Sequence, residues 1–377
     1  MANSVQIKEV TTKSDLKKFI KFPDELYKGN PYRAPQLHTF EKAHLDPKKN
    51  PAFEFCEAKY WLAYKEGKVV GRIAAILNHK SNEIWNEKNM RFGWIDFIDD
   101  PEVSKALIET VENWAKEKGM NAVHGPLGFS DFDLEGMLVE GFEEPGTQAV
   151  IYNYPYYPEH MEKLGYKKDT DWVQLEVTIP DDKVPEKITR ISKLVQKKYN
   201  LKLVDAKKSK DILKYADQIF ALINESYKDL YGFVPFTEKQ IKYYTEQYFS
   251  MVDPKFVNLV VDENDQLVGF GLASRSLTNA LIKAKGKLFP FGFIYILWAM
   301  KTEKTLDLLL HAVKPEYHGK GVPAIFYESM TQNSINAGIK KAITSHILED
   351  NKPSLQMFNP YKTRQHLRRR IYIKEDI

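Results

Sequence analysis

The sequence predicts a mixed α/β protein made of two tandem copies of one unit, each with helices packed on a mixed α+β sheet. Three observations lead to this prediction. The chain has 377 residues, more than a single hydrophobic core usually holds. A strand–turn–strand pattern occurs once in each half, and a helix followed by glycine and a β-branched run comes after each of them. Because two matched elements occur in the same order, we interpret the chain as a duplication.

The two hairpins indicate where one copy ends and the next begins. Their predicted strands are Lys59–Tyr64 with Val69–Ile76, and Val257–Asp262 with Leu267–Leu272. Gly71 and Gly269 hold matching positions 198 residues apart, which maps Ile377 onto Ile179. The polar segment Pro180–Pro185 follows and contains two prolines, as an inter-domain linker would. We therefore expect domains at residues 1–180 and 186–377.

The second copy carries an insertion between its hairpin and its helix. Gly119 and Gly338, which follow the matched helices, are 219 residues apart, about twenty more than the hairpin offset. The added residues fall within Ser276–Lys304, which contains the apolar run Leu288–Met300. A proline and a glycine inside this run argue against one long regular helix. Core packing, a lipid pocket or membrane-surface contact, and a partner interface are all compatible with it.

Composition narrows the classes of protein. Lys and Arg number 55 against 51 Asp and Glu, and a net charge of +4 is too small to indicate a nucleic-acid partner. Cys56 is the one cysteine, so no internal disulfide can form, which is typical of a reducing compartment. We see neither a signal-peptide pattern in Met1–Val10 nor a transmembrane run. The expectation is a cytoplasmic protein without a metal, since the histidines lack ligand spacing.

A candidate anion-binding loop lies in the second copy. Leu306–Val313 is predicted to be a buried strand, and Lys314–Val322 with two glycines leads from it into a helix that starts at Pro323. Unpaired N–H groups and the positive end of the helix dipole would point into this loop. A Gly-x-Gly pattern alone is weak evidence, because a tight turn between strand and helix has the same sequence.

This stretch resembles the pyrophosphate-binding motif of the GCN5-related N-acetyltransferase (GNAT) superfamily. Gly321 matches that motif, whereas His318 stands where Gln or Arg is usual and Pro323 replaces the last Gly or Ala. The resemblance implies acetyl-CoA or a longer acyl-CoA as co-substrate and a thioester contact by a backbone N–H near Ala312 or Val313. The remaining cofactor-binding candidates are His318 and the amides of Gly319, Lys320, Gly321, Val322 and Ala324.

A second matching motif lies further along the chain. Asn351 and Ser354 match the superfamily pattern Asn-x-x-Ala/Ser-x-x-x-Tyr near the cofactor thiol, which implies that both residues contact the cofactor. Phe358 replaces the Tyr that commonly protonates the departing thiolate. We name Tyr361, nearly one helical turn later, as a substitute acid.

The candidate bases lie on the strand before the loop. Asp307 aligns with the general base of the histone acetyltransferase branch, and its neighbours Leu306 and Leu308 could raise its pKa. A solvated carboxylate at a strand end is the alternative. His311, expected on the same face of the strand, is a second candidate base, although such a histidine often only packs.

The first copy lacks an equivalent loop. Asp99–Glu102 precede its helix, where carboxylates suit capping and would repel phosphates, so we expect a degenerate domain with a structural or acceptor-binding role. Gly125–Gly128, Gly136–Phe142 and Tyr152–Tyr157 resemble the YghO-like group of bacterial tandem acyltransferase-like proteins, and the likeness extends over nearly the whole chain.

These resemblances imply an N-acyltransferase that moves an acyl group from acyl-CoA to a primary amine, with a small-molecule, lipid or long-chain amine as acceptor. A catalytically degenerate CoA-binding or ligand-binding regulatory protein is the alternative, and an aminoacyl-tRNA-dependent transferase is a third. The basic segment Arg364–Arg370 would fit a ribose phosphate, a nucleic acid or a solvated strand edge. No nucleic-acid partner is expected, and peripheral membrane contact stays open.

Overall fold

The computed structural model describes residues 4–248 and 252–377. The chain forms two compact units that are not continuous in sequence. The first contains the residues up to Val173 together with Leu277–Leu297 and Leu367–Ile377, and the second contains Gln174–Ser276 and Trp298–His366. The predicted domains, residues 1–180 and 186–377, are the two duplicated segments of the sequence and not these compact units. Their bounds stay a prediction.

Strands and helices alternate along both halves of the chain. The strands are β1 (Gln6–Glu9), β2 (Cys56–Lys65), β3 (Lys68–Asn78), β4 (Asn89–Phe97), β5 (Ala122–Gly125), β6 (Met137–Glu140), β7 (Lys167–Thr178), β8 (Lys202–Leu203), β9 (Val257–Val261), β10 (Leu267–Arg275), β11 (Thr305–Val313), β12 (Lys341–Ile343), β13 (Ile347–Leu348) and β14 (Thr363–Glu375). The helices are α1 (Lys13–Leu26), α2 (His38–His44), α3 (His79–Trp85), α4 (Pro101–Glu117), α5 (Tyr156–Lys163), α6 (Glu186–Tyr199), α7 (Ser209–Leu213), α8 (Ala216–Ser226), α9 (Glu238–Tyr248), α10 (Thr278–Ala284), α11 (Gly292–Thr302), α12 (Pro323–Asn336) and α13 (Lys352–Gln356).

The first unit is a mixed sheet in the order β1-β2-β3-β4-β5-β14. The pair β4–β5 is parallel, and the other neighbours are antiparallel. Helix α4 packs on this sheet through Val103, Leu107 and Val111, which recur at helical spacing. The Asp100 side chain accepts a hydrogen bond from the Glu102 amide, which confirms the predicted capping.

The second unit repeats this design. Its sheet has the order β12-β11-β10-β9-β8, with β11–β12 parallel and the end of β7 antiparallel to β12. Helix α12 packs against β10, where Gly271 leaves room for the Phe326 ring. The strand β10 pairs with β11 as β3 does with β4, because Gly269 faces Val313 and Gly71 faces Phe97. The prediction of two related α/β units is confirmed.

Each unit has a β-bulge in the strand that follows its hairpin. In β4 the register shifts opposite Arg72 and Ala74, where Trp94 has φ +45°. In β11 the shift opposite Leu272 and Ala273 leaves Leu309 as the extra residue. A bulge reverses the side-chain alternation beyond it, so it decides which residues of β11 share a face.

The insertion forms two short helices, α10 and α11, as the breaks in the apolar run predicted. Among the described residues, no helix is both long enough and apolar enough to cross a bilayer.

Candidate functional site

The site begins where two parallel strands separate. β11 pairs with β12 only from Thr305 to Asp307, and then continues to Val313 without a described strand on that side. The end of α8 covers part of this open edge. The Ser226 hydroxyl donates to the Val313 carbonyl at 3.0 Å, and the Tyr227 hydroxyl donates to the His311 carbonyl at 2.7 Å. These two bonds satisfy carbonyl groups that a neighbouring strand would otherwise pair.

The backbone amides of His311 and Val313 face the open edge, on the same side as their carbonyl groups. The Lys314 amide donates to the Val268 carbonyl at 2.8 Å, and Ala312 lies opposite Phe270, so the even-numbered residues at this end of β11 bond to β10. The Val313 amide therefore points the other way, beside the carbonyl that accepts from Ser226. Of the two predicted thioester contacts, Val313 has the exposed donor, and the Ala312 amide is directed into the sheet.

The loop after β11 presents three backbone donors. Gly319 and Gly321 have φ of +72° and +81°, a conformation that favours glycine. The amides of Gly319, Gly321 and Val322 have no hydrogen-bond partner among the described residues. By contrast, the amide of Lys320 donates to Tyr317 at 3.1 Å and that of Ala324 donates to Gly321 at 3.0 Å. Three of the five predicted amide donors are thus available at the start of α12, and Lys320 and Ala324 are engaged within the loop.

Two side chains of the loop have distinct roles. The His318 Nε2 lies 2.9 Å from the Val313 carbonyl, which holds the loop against the end of β11. The Lys320 ammonium lies 5.4 Å from the Tyr199 ring centroid and 5.3 Å from that of Tyr317, so two aromatic faces hold its charge beside the loop. The Lys320 side chain can contribute a positive charge even though its amide is engaged.

Two adjoining pockets lie between the sheet and α12. Their cavity volumes are about 10 Å³ and 20 Å³, and they share Leu308, Tyr327, Met330 and Phe358 as lining residues. His311 lines the first pocket and Tyr361 the second. The shared lining is mostly apolar, which suits a hydrocarbon group better than a charged one.

Asp307 is buried, not at a solvated strand end. It is 2% exposed, and this burial raises the pKa of Asp307 to about 7, with a further rise from Glu303 and an opposing effect from the Ser276 hydroxyl. Neither carboxyl oxygen forms a hydrogen bond of normal geometry. The predicted rise in the pKa agrees with the structure.

The bulge separates the two candidate bases. Leu306 and Leu308 line the pocket beside α12, so Asp307 between them faces the other side of the sheet. The His311 ring lies 6.2 Å from the Tyr327 ring of α12, centroid to centroid. The expectation that Asp307 and His311 share a face was wrong, because Leu309 adds one residue between them. Burial lowers the pKa of His311 to about 4, which keeps its ring neutral at pH 7.

Tyrosine hydroxyls lie beside the pockets. The Tyr361 hydroxyl forms a 2.7 Å hydrogen bond with Thr331, and burial raises the pKa of Tyr361 to about 12. Tyr327, which sequence reasoning missed, lines both pockets, and burial raises its pKa well above the usual value. Its signal in the sequence was its position on α12, about one turn after the first helical residue, Pro323.

The second motif forms a helix cap. The Asn351 side chain accepts a hydrogen bond from the Ser354 amide at 3.2 Å and so begins α13. Phe358, after this helix, is 2% exposed and packs edge-on against Tyr327 with centroids 5.6 Å apart. The structure shows how Asn351 and Ser354 position this wall of the pockets, and their contact with a cofactor stays a prediction.

The basic segment is paired with carboxylates. Arg364 contacts Glu176 through two nitrogens, at 2.9 and 3.2 Å. Arg370 contacts Asp171 through two nitrogens, at 2.9 and 3.1 Å, and Arg368 reaches the same carboxylate at 3.1 Å. These ion pairs compete with phosphate binding by the same side chains. The expected solvated strand edge was wrong, because β14 lies between β5 and β7 and residues 368–370 pair with β6.

The corresponding place in the first unit is filled. β4 and β5 stop pairing after Arg91 and His124, as β11 and β12 do after Asp307. The Leu127 amide then bonds to the Phe92 carbonyl at 2.8 Å, and the Leu127 carbonyl lies so close to Gly93 that no side chain fits there. Because the chain itself occupies this gap, the first unit has no open edge comparable to that of the second.

In fold, this chain of two mixed-sheet units is similar to tandem GNAT proteins of known structure. The tandem GNAT protein of the clavulanic acid biosynthesis pathway is similar to it with a TM-score of 0.58 and 12% identity, covering 99% of each chain. In sequence, the chain is 28% identical to Protein YghO of Escherichia coli K12 over 375 residues, 98% of this chain and 95% of the relative. It is 26% identical to the bacterial ceramide synthase of Caulobacter vibrioides over 353 residues, 91% of this chain and 90% of the relative. No family model matches the chain.

Proposed function

We propose that the protein is an N-acyltransferase that transfers an acyl group from acyl-CoA to a primary amine. The observation that carries this proposal is the set of free amides at Gly319, Gly321 and Val322, next to the open edge of β11. These donors stand at the amino end of a 14-residue helix, where a diphosphate is favoured. The Lys320 ammonium adds a positive charge at the same place.

The open edge and the pockets then fit the rest of such a co-substrate. The Val313 amide is the donor that would meet the thioester carbonyl and the oxyanion that forms from it. His311, Tyr327 and Tyr361 line the adjoining pockets. The pockets would have to widen to take an acyl chain longer than acetyl, and Leu308, Met330 and Phe358 would then supply apolar walls.

The reaction joins the amine nitrogen to the acyl carbon and breaks the carbon–sulfur bond. A base takes one proton from the amine, and the departing thiolate receives a proton from an acid. Asp307 has a pKa near 7 but lies on the opposite face from the pockets, whereas His311 lies in a pocket with a pKa of about 4. Asp307 also lies six residues before Val313 on an extended strand, roughly 20 Å along it, so it does not reach an amine that attacks a thioester held by the Val313 amide. We assign the base to His311, two residues before Val313, and the acid to Tyr361, whose hydroxyl keeps its proton at neutral pH.

A lipid or other long-chain amine is the acceptor class we favour. The name of the Caulobacter relative refers to ceramide synthesis, and that relative matches nearly the whole chain. The mostly apolar residues shared by the two pockets support a long-chain amine as the acceptor.

Calorimetric titration with CoA, acetyl-CoA and long-chain acyl-CoAs tests the proposal most directly. We expect all three to bind and the Lys320→Ala variant to bind more weakly. Absence of heat with every one of them would remove the proposal.

A non-catalytic, ligand-binding role is the second candidate. It is supported by Phe358, which places a buried ring where the motif has an acid, and by the His318 ring, which bonds to Val313. Binding of acyl-CoA without release of free thiol in the presence of a library of primary and long-chain amines would favour this role over catalysis.

A further inference from the structure

An exposed apolar surface lies on the insertion of the second copy. It consists of seven large side chains that are between 37% and 72% exposed: Phe289, Phe291, Phe293, Ile294, Tyr295, Leu297 and Trp298. Single exposed apolar residues are common on proteins, but seven within ten positions form a continuous patch. Leaving such a patch in water is unfavourable, so a cover is expected.

The helix α11 turns its apolar residues outward. Gly292 and Ala299 are on its buried side, while Phe293, Leu297 and Trp298 point to solvent at helical spacing. This arrangement inverts the usual pattern of a surface helix, whose apolar stripe faces the core. The outward stripe is therefore a surface for contact with something else.

The segment before this helix is held in place. The His38 amide donates to the Gly286 carbonyl at 3.0 Å, and the Phe293 amide donates to the Leu288 carbonyl at 2.8 Å. At Gly292 a side chain would collide with the Lys287 carbonyl. These contacts present Phe289 and Phe291 on an ordered turn next to the stripe.

Positive charge surrounds the apolar surface. Lys283, Lys285, Lys287 and Lys301 are exposed, and none of them forms an ion pair with a described residue. No Asp or Glu occurs between Lys283 and Thr302. A surface with positive charges alone is complementary to an anionic lipid surface. A protein partner with both positive and negative charges on its surface would not require it.

We propose that this surface docks the protein onto a bilayer that contains anionic lipid. The aromatic and aliphatic side chains enter the boundary between headgroups and acyl chains, and the lysines contact lipid phosphates. Trp298 and Tyr295 suit this boundary, because each has an apolar ring and a polar tip. The inference rests on this surface alone and holds whether or not the protein transfers acyl groups.

Flotation of the full chain with vesicles tests the proposal. We expect co-flotation with phosphatidylcholine vesicles that contain phosphatidylglycerol, and little with phosphatidylcholine alone. Phe291→Ser with Leu297→Ser and Trp298→Ser should abolish it, and Lys283→Glu with Lys287→Glu should weaken it at least about tenfold, since each lysine near an anionic surface adds several-fold in affinity. All the replaced side chains are already exposed to solvent, and the new side chains are polar or charged, so these variants should keep the fold.

Matched controls lie on α1 and α3. Ile84→Ser removes a 44% exposed isoleucine on α3, and Lys17→Glu with Lys21→Glu reverses two exposed lysines. Both controls should float like the unmodified protein. The proposal would be overturned if the protein floated equally with neutral and anionic vesicles, or did not float at all. It would also be overturned if the control variants lost flotation to the same extent. Sedimentation showing that the serine substitutions disrupt a dimer while flotation is unchanged would overturn it as well.

Discussion

Asp307 is a carboxyl group placed in a strand between two leucines, and its burial has a direct effect on stability. The folded state raises the pKa of Asp307 from 3.8 to about 7, so the folded protein holds a proton that the unfolded chain loses. The contribution of Asp307 to the free energy of unfolding should therefore be most favourable below pH 4. It should decrease as the pH rises from 4 toward 7. Three pKa units correspond to at most about 4 kcal/mol.

The measurement is urea unfolding at several pH values. Asp307→Asn should remove this pH dependence and gain stability relative to the unmodified protein above pH 7. Asp229→Asn, at an exposed position of the same unit, serves as the control and should leave the profile unchanged. The opposite outcome is that the unmodified protein and Asp307→Asn show the same change in unfolding free energy between pH 4 and 7. That result would contradict the burial of an ionisable carboxyl group at position 307.

The pH dependence of catalysis distinguishes the two candidate bases. If Asp307 is the base, kcat/KM should rise with pH through about 7, because only the ionised carboxylate accepts a proton. If His311 is the base, the rise should fall near pH 4 and the profile should be flat around neutrality. We expect the second result, together with a loss of about 10²-fold to 10⁴-fold in His311→Gln.

Tyr361 provides the matching prediction for the acid. Tyr361→Phe should lower kcat by at least about tenfold with little change in KM, because the hydroxyl acts when the thiolate leaves. Tyr215→Phe is a suitable control, since the Tyr215 hydroxyl bonds to Asp265 outside the pockets. Equal activity of Tyr361→Phe and the unmodified protein would show that Tyr361 only packs against Thr331.

At the scale of elements, the loop between β11 and α12 tests the anion site. Gly321 has φ +81°, and a Cβ there would lie 3.0 Å from Ile191 and 3.2 Å from Val195. Gly321→Ala should therefore distort the loop and weaken CoA binding at least about tenfold, beyond the roughly 1 kcal/mol cost of a left-handed alanine. Gly338→Ala has a similar φ of +67° but free space, so it should lose stability alone. Equal CoA affinity in the two variants would count against the site.

The elements also show what the sequence could and could not predict. The hairpins were recognisable because runs of mostly apolar residues flank short polar turns in both halves. The bulge at Leu309 was not, since Leu306, Leu308, Leu309 and Leu310 are chemically alike and carry no sign of the register. The sequence also did not predict which amides of the loop are free, because a Gly-x-Gly pattern does not say which N–H groups the turn itself uses.

For the whole molecule, the discontinuous units make a prediction about truncation. Leu367, Ile371 and Tyr372 of β14 are at most 1% exposed. In the first unit, residues 368–370 of β14 pair with β6 and residues 372–375 pair with β5. Removing Leu367–Ile377 should destabilise the first unit by several kcal/mol, because buried aromatic and aliphatic side chains and a row of hydrogen bonds are lost together.

Differential scanning calorimetry can measure this effect. We expect the chain ending at His366 to lose the cooperative transition of the first unit, whereas removal of Asp376 and Ile377 alone should have a small effect. An unchanged transition in the shorter chain would mean that β14 is dispensable for the first core.

The position of β14 also bears on the order in which the protein matures. Tyr372 lies opposite Gly125, although 247 residues separate them in the chain. A ribosome therefore delivers most of the amino-terminal unit long before the strand that completes its sheet. During synthesis of the second copy, the edge of β5 that later pairs with β14 has no partner. Chaperones and the exposed strands of other chains can bind this edge.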